Sequence, residues 1–227
     1  MKKIILLALT ILLIVPACKW NNTRTALKHG ENLKSSIESF EKNRQKLSAK
    51  LVSSLEDAQQ ELTKEDPDLP KVSKDFEKEW TSIQGRYNNL KKDFESVGTS
   101  SNNFFAKLDE LSNNINKVSL RNEELGKNRE LKIKWDQSYK EAAVSIDKVT
   151  QVLEAGNDFH MVLVASSIRQ KLEQNVAELD LIAAQAKELL GDLEAFTQAG
   201  RELVEGCLLY TSPSPRDATL SRMPSSA

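Results

Sequence analysis

Apolar residues recur along this chain at steps of three and four, the spacing that lines one face of an α-helix. Between Thr23 and Glu65 the stripe is Leu33, Ile37, Phe40, Leu47, Leu51, Leu55, Ala58 and Leu62. Arg44 interrupts it. The neighbours Glu38, Glu41, Lys42, Asn43, Gln45 and Lys46 are charged or amide and read as the wet face. Asp66-Pro67-Asp68-Leu69-Pro70 ends the segment, because proline lacks a backbone donor and restricts the residue before it.

A second stripe begins near Lys71 with Val72, Phe76, Trp80, Ile83, Tyr87, Leu90, Phe94 and Val97. Gly98-Thr99-Ser100-Ser101 has the composition of a loop. The register contradicts that reading, since steps of four and three continue through Ser101, Phe104, Leu108, Leu111, Ile115 and Val118. The pattern predicts one helix over 71–117. It carries a glycine that costs about 1 kcal/mol relative to alanine.

A third segment starts at Ser119, a candidate N-cap, with Glu123 and Glu124 placed to favour the positive end of the helix. Its stripe is Leu125, Leu131, Trp135, Tyr139, Ala142, Ile146, Val149 and Val152 or Leu153. A turn is expected near 165–167, with Gly156 as the alternative. The fourth segment runs over 167–205 on Ile168, Leu172, Val176, Leu179, Ile182 or Ala183, Ala186, Leu189 or Leu190, Leu193 and Phe196. Leu181, Ala184 and Ala195 widen its apolar face, which predicts deeper burial than in the first helix.

Four segments of roughly 40 residues are each about 60 Å long at 1.5 Å per residue. Short links between matched lengths favour antiparallel neighbours. The predicted fold class is all-α: an elongated antiparallel bundle of four long helices with coiled-coil-like packing. A helical hairpin that completes its core by dimerising satisfies the same stripes.

Composition supports this reading. Charged residues are 29% and aromatics 6% of the chain, and proline is absent from 71–212. The formal net charge of −1 has no basic excess of the kind nucleic-acid binding needs.

The N-terminus adds an address. Met1-Lys2-Lys3, an apolar run from Ile4 to Val15, and small residues before a cysteine form a secretory signal. The run is too short for a bilayer, which takes about 20 residues. Val15, Pro16, Ala17 and Cys18 resemble the lipobox of bacterial lipoproteins, which implies cleavage after residue 17 and lipidation of Cys18. Lys19, where aspartate would favour inner-membrane retention, implies the outer membrane and its periplasmic face. The expected domains are a signal peptide over 1–17, a tether over 18–22 and a helical domain over 23–206. Residues 207–227, from Cys207 onward, resemble a translated sequencing adapter and are expected to be a disordered artefact. With Cys207 set aside, Cys18 is the only cysteine and no intrachain disulfide can form.

Candidate chemistry is sparse. His29 and His160 are the only histidines, and neither has a partner at metal-ligand spacing. There is no His-Glu-x-x-His, no Gly-rich phosphate loop and no Gly-x-Ser-x-Gly. The carboxylates fall on the wet side of the stripes, and Trp80 and Trp135 occupy core positions. No set of catalytic roles can be filled, so the chain is expected not to be an enzyme and to need no cofactor. The densest apolar run of the mature chain is 159–165, where Phe159, His160 and Met161 are candidate contacts for an apolar ligand held between helices.

Phe104-Phe105-Ala106-Lys107-Leu108-Asp109-Glu110-Leu111-Ser112, Val118-Ser119-Leu120-Arg121, Tyr139, Val149-Thr150-Gln151-Val152-Leu153 and Ala165-Ser166-Ser167-Ile168 follow in an order that carries a further resemblance. The chain is similar over 76–199 to a family of Gram-negative outer-membrane lipoproteins with a helical domain of unknown function. The resemblance implies no activity. The expected role is structural or adaptor, in the cell envelope. The implied partners are the membrane, through the lipid, and either an envelope protein or a second copy. The rival expectation is a binding module for an apolar ligand such as a lipid.

Overall fold

The computed structural model describes the backbone of residues 15–169 and 176–209, and the side chains of residues 24–169 and 177–207. Among the described residues four helices follow one another: α1 (Val15–Leu62), α2 (Leu69–Asn113), α3 (Val118–Arg169) and α4 (Val176–Leu209). Each packs against two others, and the ring closes as α1, α2, α3, α4 and back to α1.

Rungs between the helices give their directions. Ser36 meets Ser100, Asn43 meets Asp93 and Lys50 meets Glu79, so α1 and α2 run oppositely. Tyr139 on Phe94, Tyr87 on Ile146 and Trp80 on Leu153 set α3 antiparallel to α2. Gln59 with Asp180 and Arg44 with Leu190 do the same for α1 and α4. The result is an up-down-up-down bundle. Four helices of a single chain close the core, which the dimerising hairpin did not foresee.

The apolar stripes supply that core. All eight stripe residues of α1 are buried, as are those of α2 from Val72 to Val97, followed by Ser101 and Phe104. Each helix sends one ring to a common level: Phe40, Phe94, Tyr139 and Phe196. The Phe94 and Tyr139 rings stack 4.4 Å apart, and Phe196 lies edge-on to Phe40 at 5.8 Å. Such aromatic pairs add about 0.5–1.5 kcal/mol beyond the area they bury.

The helix ends follow local chemistry. Asp68 caps α2 by accepting from the Lys71 amide at 3.1 Å, with proline in the first turn, where no donor is missed. Helix α2 runs unbroken through Gly98, as the register predicts. The glycine has a packing reason: a Cβ there would lie 2.5 Å from the Tyr139 hydroxyl oxygen.

Several boundaries differ from those expected. Helix α1 begins at Val15, so the backbone of the expected tether, 18–22, is helical and continuous with the bundle helix. Helix α3 begins at Val118, where the Arg121 amide reaches the Lys117 carbonyl at 3.0 Å and closes the first turn. Ser119 therefore lies inside the helix and is not its N-cap, and Val118 is exposed rather than the end of the α2 stripe. Helix α3 also passes through Gly156 and through 165–167 to Arg169. Residues 170–175, between α3 and α4, lie outside the described residues.

That extension changes the phase of the seam. Phe159, Leu163 and Ser166 face inward, and Ile168 is left 77% exposed. In α4 the seam Leu179, Ile182, Ala186, Leu189, Leu193 and Phe196 is buried, while Leu181 is 63% exposed and Ala184 and Ala195 face solvent. The side chains of Leu172 and Val176 lie outside the described residues. The widened apolar face of α4 is therefore not a burial surface, because its extra members sit off the contact angle. Helix α4 also continues to Leu209, and Cys207 is half-buried against the core, so residues 207–209 are helical and not disordered. Burial pushes the Cys207 thiol pKa up. Residues 210–227 lie outside the described residues, as do residues 1–14 of the expected signal.

Candidate functional site

The most unusual chemistry in the bundle lies beside the aromatic level, between α1 and α4. Arg44 and Glu41 are 6% and 5% exposed. They form a two-pronged pair, with Arg44 Nε 2.7 Å from Glu41 Oε2 and Nη2 2.8 Å from Oε1. The i, i+3 spacing on one helix puts both groups on the same face. Arg44 Nη1 donates across to the Leu190 carbonyl of α4 at 3.0 Å, and Nη2 lies 3.2 Å from Glu194 Oε2. Gln45 donates to Glu41 Oε1 at 2.7 Å. The Thr197 hydroxyl proton is shared between Glu41 Oε2 at 2.9 Å and the Glu194 carbonyl at 2.7 Å.

Burial pushes the Glu41 carboxyl pKa up, but hydrogen bonds from Arg44, Thr197 and Gln45, with the Arg44 charge, outweigh it and hold it below the usual range. Arg44 is raised by its hydrogen bonds to Glu41, against the opposing effect of burial. Both carboxylate oxygens of Glu41 are occupied. A saturated carboxylate is a poor general base. What the cluster does is fix how α1 slides and rotates against α4, because a displacement strands a buried charge.

The sequence singled out Arg44 as an interruption but placed Glu41 on the wet face. The missed signal is a carboxylate three residues before an arginine that stands in a core position.

Because the folded pKa of Glu41 is depressed, its contribution to stability is present above the unfolded value near 4.5 and is lost as pH falls through the folded value. The doubly apolar variant Glu41→Leu/Arg44→Met is expected to lose less stability than the wild type between pH 5 and the acid end. Urea unfolding at stepped pH measures it, and parallel acid limbs would reject the assignment.

The residues expected to contact an apolar ligand do not converge. Phe159 is buried and sits edge-on to Phe76 at 5.4 Å. His160 is half-buried and lies 6.3 Å from the same Phe76 ring. Met161 is 64% exposed on the outer side of α3. Successive residues of a helix turn about 100° apart, so three in a row cannot share one wall. His29 is half-buried near the start of the described side chains.

Trp80 and Trp135 are core residues, as expected. The Trp80 indole donates to the Leu153 carbonyl at 3.1 Å and lies across Gly156. The side chains of Val15, Pro16, Ala17 and Cys18 lie outside the described residues, and only their helical backbone is placed. Among the described residues there is no group of three or more His, Cys, Asp or Glu that could hold a metal ion. Among them, too, no helix is long and apolar enough to cross a membrane.

Fold and site together define an all-α, antiparallel four-helix bundle protein whose polar core is a buried ion pair. No family model, curated protein or solved structure matches the chain.

Proposed function

We propose that this chain is a lipid-anchored lipoprotein of the outer membrane, facing the periplasm, with a structural or adaptor role in the cell envelope. The observation that carries the reading is the lipobox-like Val15-Pro16-Ala17-Cys18 at the head of α1. The same helix continues from there to Leu62, 48 residues or about 70 Å. A rod held at Cys18 by acyl chains, each buried methylene worth about 0.8 kcal/mol, would present its far end well away from the bilayer. Met161 and Ile168 stand exposed toward that far end, where an envelope partner could reach them. The saturated Glu41–Arg44 cluster favours a mechanical role over a catalytic one. The buried Phe159 ring weighs against the rival reading of a lipid held between helices.

Metabolic labelling in a Gram-negative host tests the anchor. A palmitate analogue is expected to label the wild type and to be lost completely in Cys18→Ala, with the variant released from the membrane fraction. Label retained in Cys18→Ala would end the lipoprotein reading. Photocrosslinkers at positions 161 and 168 test the adaptor role: a discrete adduct is expected in native envelopes, and its absence from both positions would reject it.

A further inference from the structure

The turn between α2 and α3, residues 114–117, lies at the end of the bundle where Cys18 stands. Two rungs set the level: Ser36 meets Ser100 between α1 and α2, and Phe94 stacks on Tyr139 between α2 and α3. At 1.5 Å per residue, Cys18 lies about 27 Å beyond the first rung, and Val118 and Leu120, the first residues after the turn, lie about 20–23 Å beyond it. All three therefore fall within about 10 Å of one another along the axis. Helix α1 is continuous from Val15 to Leu62, so Cys18 stands at the head of the rod and not on a separate linker.

Two properties of this end point to what it meets. Val118 and Leu120 are 56% and 47% exposed, two large apolar side chains left in water beside the turn. The charge around them is one-sided: segments 18–30 and 111–122 contain lysine and arginine but not one Asp or Glu. Arg24, Lys28 and Lys117 are exposed, and among the described residues no ion pair engages them or Arg121. The opposite end has the other sign, since 56–68 holds six carboxylates against Lys64 alone. A rod with cations at one end and carboxylates at the other has a preferred direction at an anionic bilayer.

We propose that this end of the bundle docks on the phospholipid surface: Arg24, Lys28, Lys117 and Arg121 meet anionic headgroups, and Val118 and Leu120 enter the interfacial layer. Basic and apolar side chains side by side are the chemistry of an interfacial contact. The proposal rests on the anchoring of Cys18 and adds a second point of contact to it, on a different pair of helices. A rod held at one point is free to lie down. Held at two, it stands with its acidic end directed away from the bilayer. A protein partner fits this patch less well, because a lipid attachment within about 10 Å of it leaves no depth for a protein domain between patch and headgroups.

Photocrosslinking in a Gram-negative host whose phospholipids carry radiolabelled phosphate tests the proposal. The full chain is expressed with its signal, and a photocrosslinking residue replaces Leu120 or, as the far-end control, Met161. A labelled lipid adduct is expected at 120, at least tenfold above that at 161. Lys117→Gln/Arg121→Gln is expected to lower the adduct at 120 about tenfold, while palmitate labelling and helical circular dichroism stay as in the wild type. Should that variant not fold, the contrast between 120 and 161 decides alone. A palmitate-labelled chain with no lipid adduct at 120, a protein adduct there in its place, equal adducts at the two positions, or an unchanged adduct in the folded charge variant would each overturn the proposal and leave the anchor standing. A chain that takes no palmitate label overturns the anchoring reading, and the proposal with it.

Discussion

Arg44→Met is expected to destabilise the bundle by about 3–5 kcal/mol, because it leaves the Glu41 carboxylate buried without its counter-charge. Glu41 keeps only Gln45 and Thr197 as donors in that variant. The double variant Glu41→Leu/Arg44→Met removes both charges and is expected to lie between neutral and about 4 kcal/mol more stable than the wild type. The coupling energy from the full cycle should then exceed the range of about 0.5 kcal/mol within which independent sites add. Urea unfolding of the four proteins measures it. If the single and double variants lose the same stability, the ion pair is not acting as a unit. The stability gained by the double variant should come with a looser fit of α1 against α4. Faster amide hydrogen exchange around Leu190 and Thr197 would register that.

Gly156→Ala is expected to cost about 3 kcal/mol, against the ordinary sign for glycine in a helix. Alanine is normally better there by about 1 kcal/mol. Here the new Cβ would lie 1.8 Å from Trp80 Cζ2 and 2.1 Å from Cε2, and the indole is a rigid body in the core. Trp80 must leave its slot, losing the bond to the Leu153 carbonyl and the stack on Phe76 at 5.2 Å. Overpacking of this kind costs about 1–3 kcal/mol, and an orphaned buried donor a similar amount. Gly85→Ala and Gly191→Ala are the internal controls. Nothing lies within 4 Å of a Cβ at either position, so both should stabilise slightly. Melting temperatures and tryptophan emission report the outcome, and a Gly156→Ala protein as stable as the wild type would show that the slot has slack. A Trp80→Leu background should remove most of the penalty, since the three atoms nearest the new Cβ all belong to the indole.

The same two sites show where one-dimensional reading runs out. Gly98 and Gly156 are identical as letters, and both lie inside helices. The register across Gly98 was intact, so that helix was legible. At Gly156 the apolar pattern thickened on every side of 159–165, and a turn became as plausible as a kink. The opposing indole that makes the glycine necessary lies 76 positions earlier in the chain. Phe159 and Met161 divided for a related reason: a dense apolar run records composition, and only the seam phase separates the inward ring from the outward thioether. Ile168 was assigned to the start of the fourth helix but lies near the end of α3, off its seam, and Leu181, expected to widen the apolar face of the fourth helix, is exposed because it sits off the contact angle.

The periodicity by itself determined four amphipathic helices, the eight-residue seam of α1 and most of the α2 seam, and the proline-marked turn between them. Those follow because burial of an apolar face is a local property, repeated every turn and readable without knowing the neighbour. Tertiary structure alone decided that α3 runs to Arg169, that Glu41 turns inward with Arg44, that Gly156 receives Trp80, and that the turn between α2 and α3 comes level with Cys18. Each of these depends on what stands opposite, and residues far apart in sequence meet only once four helices have closed around one core.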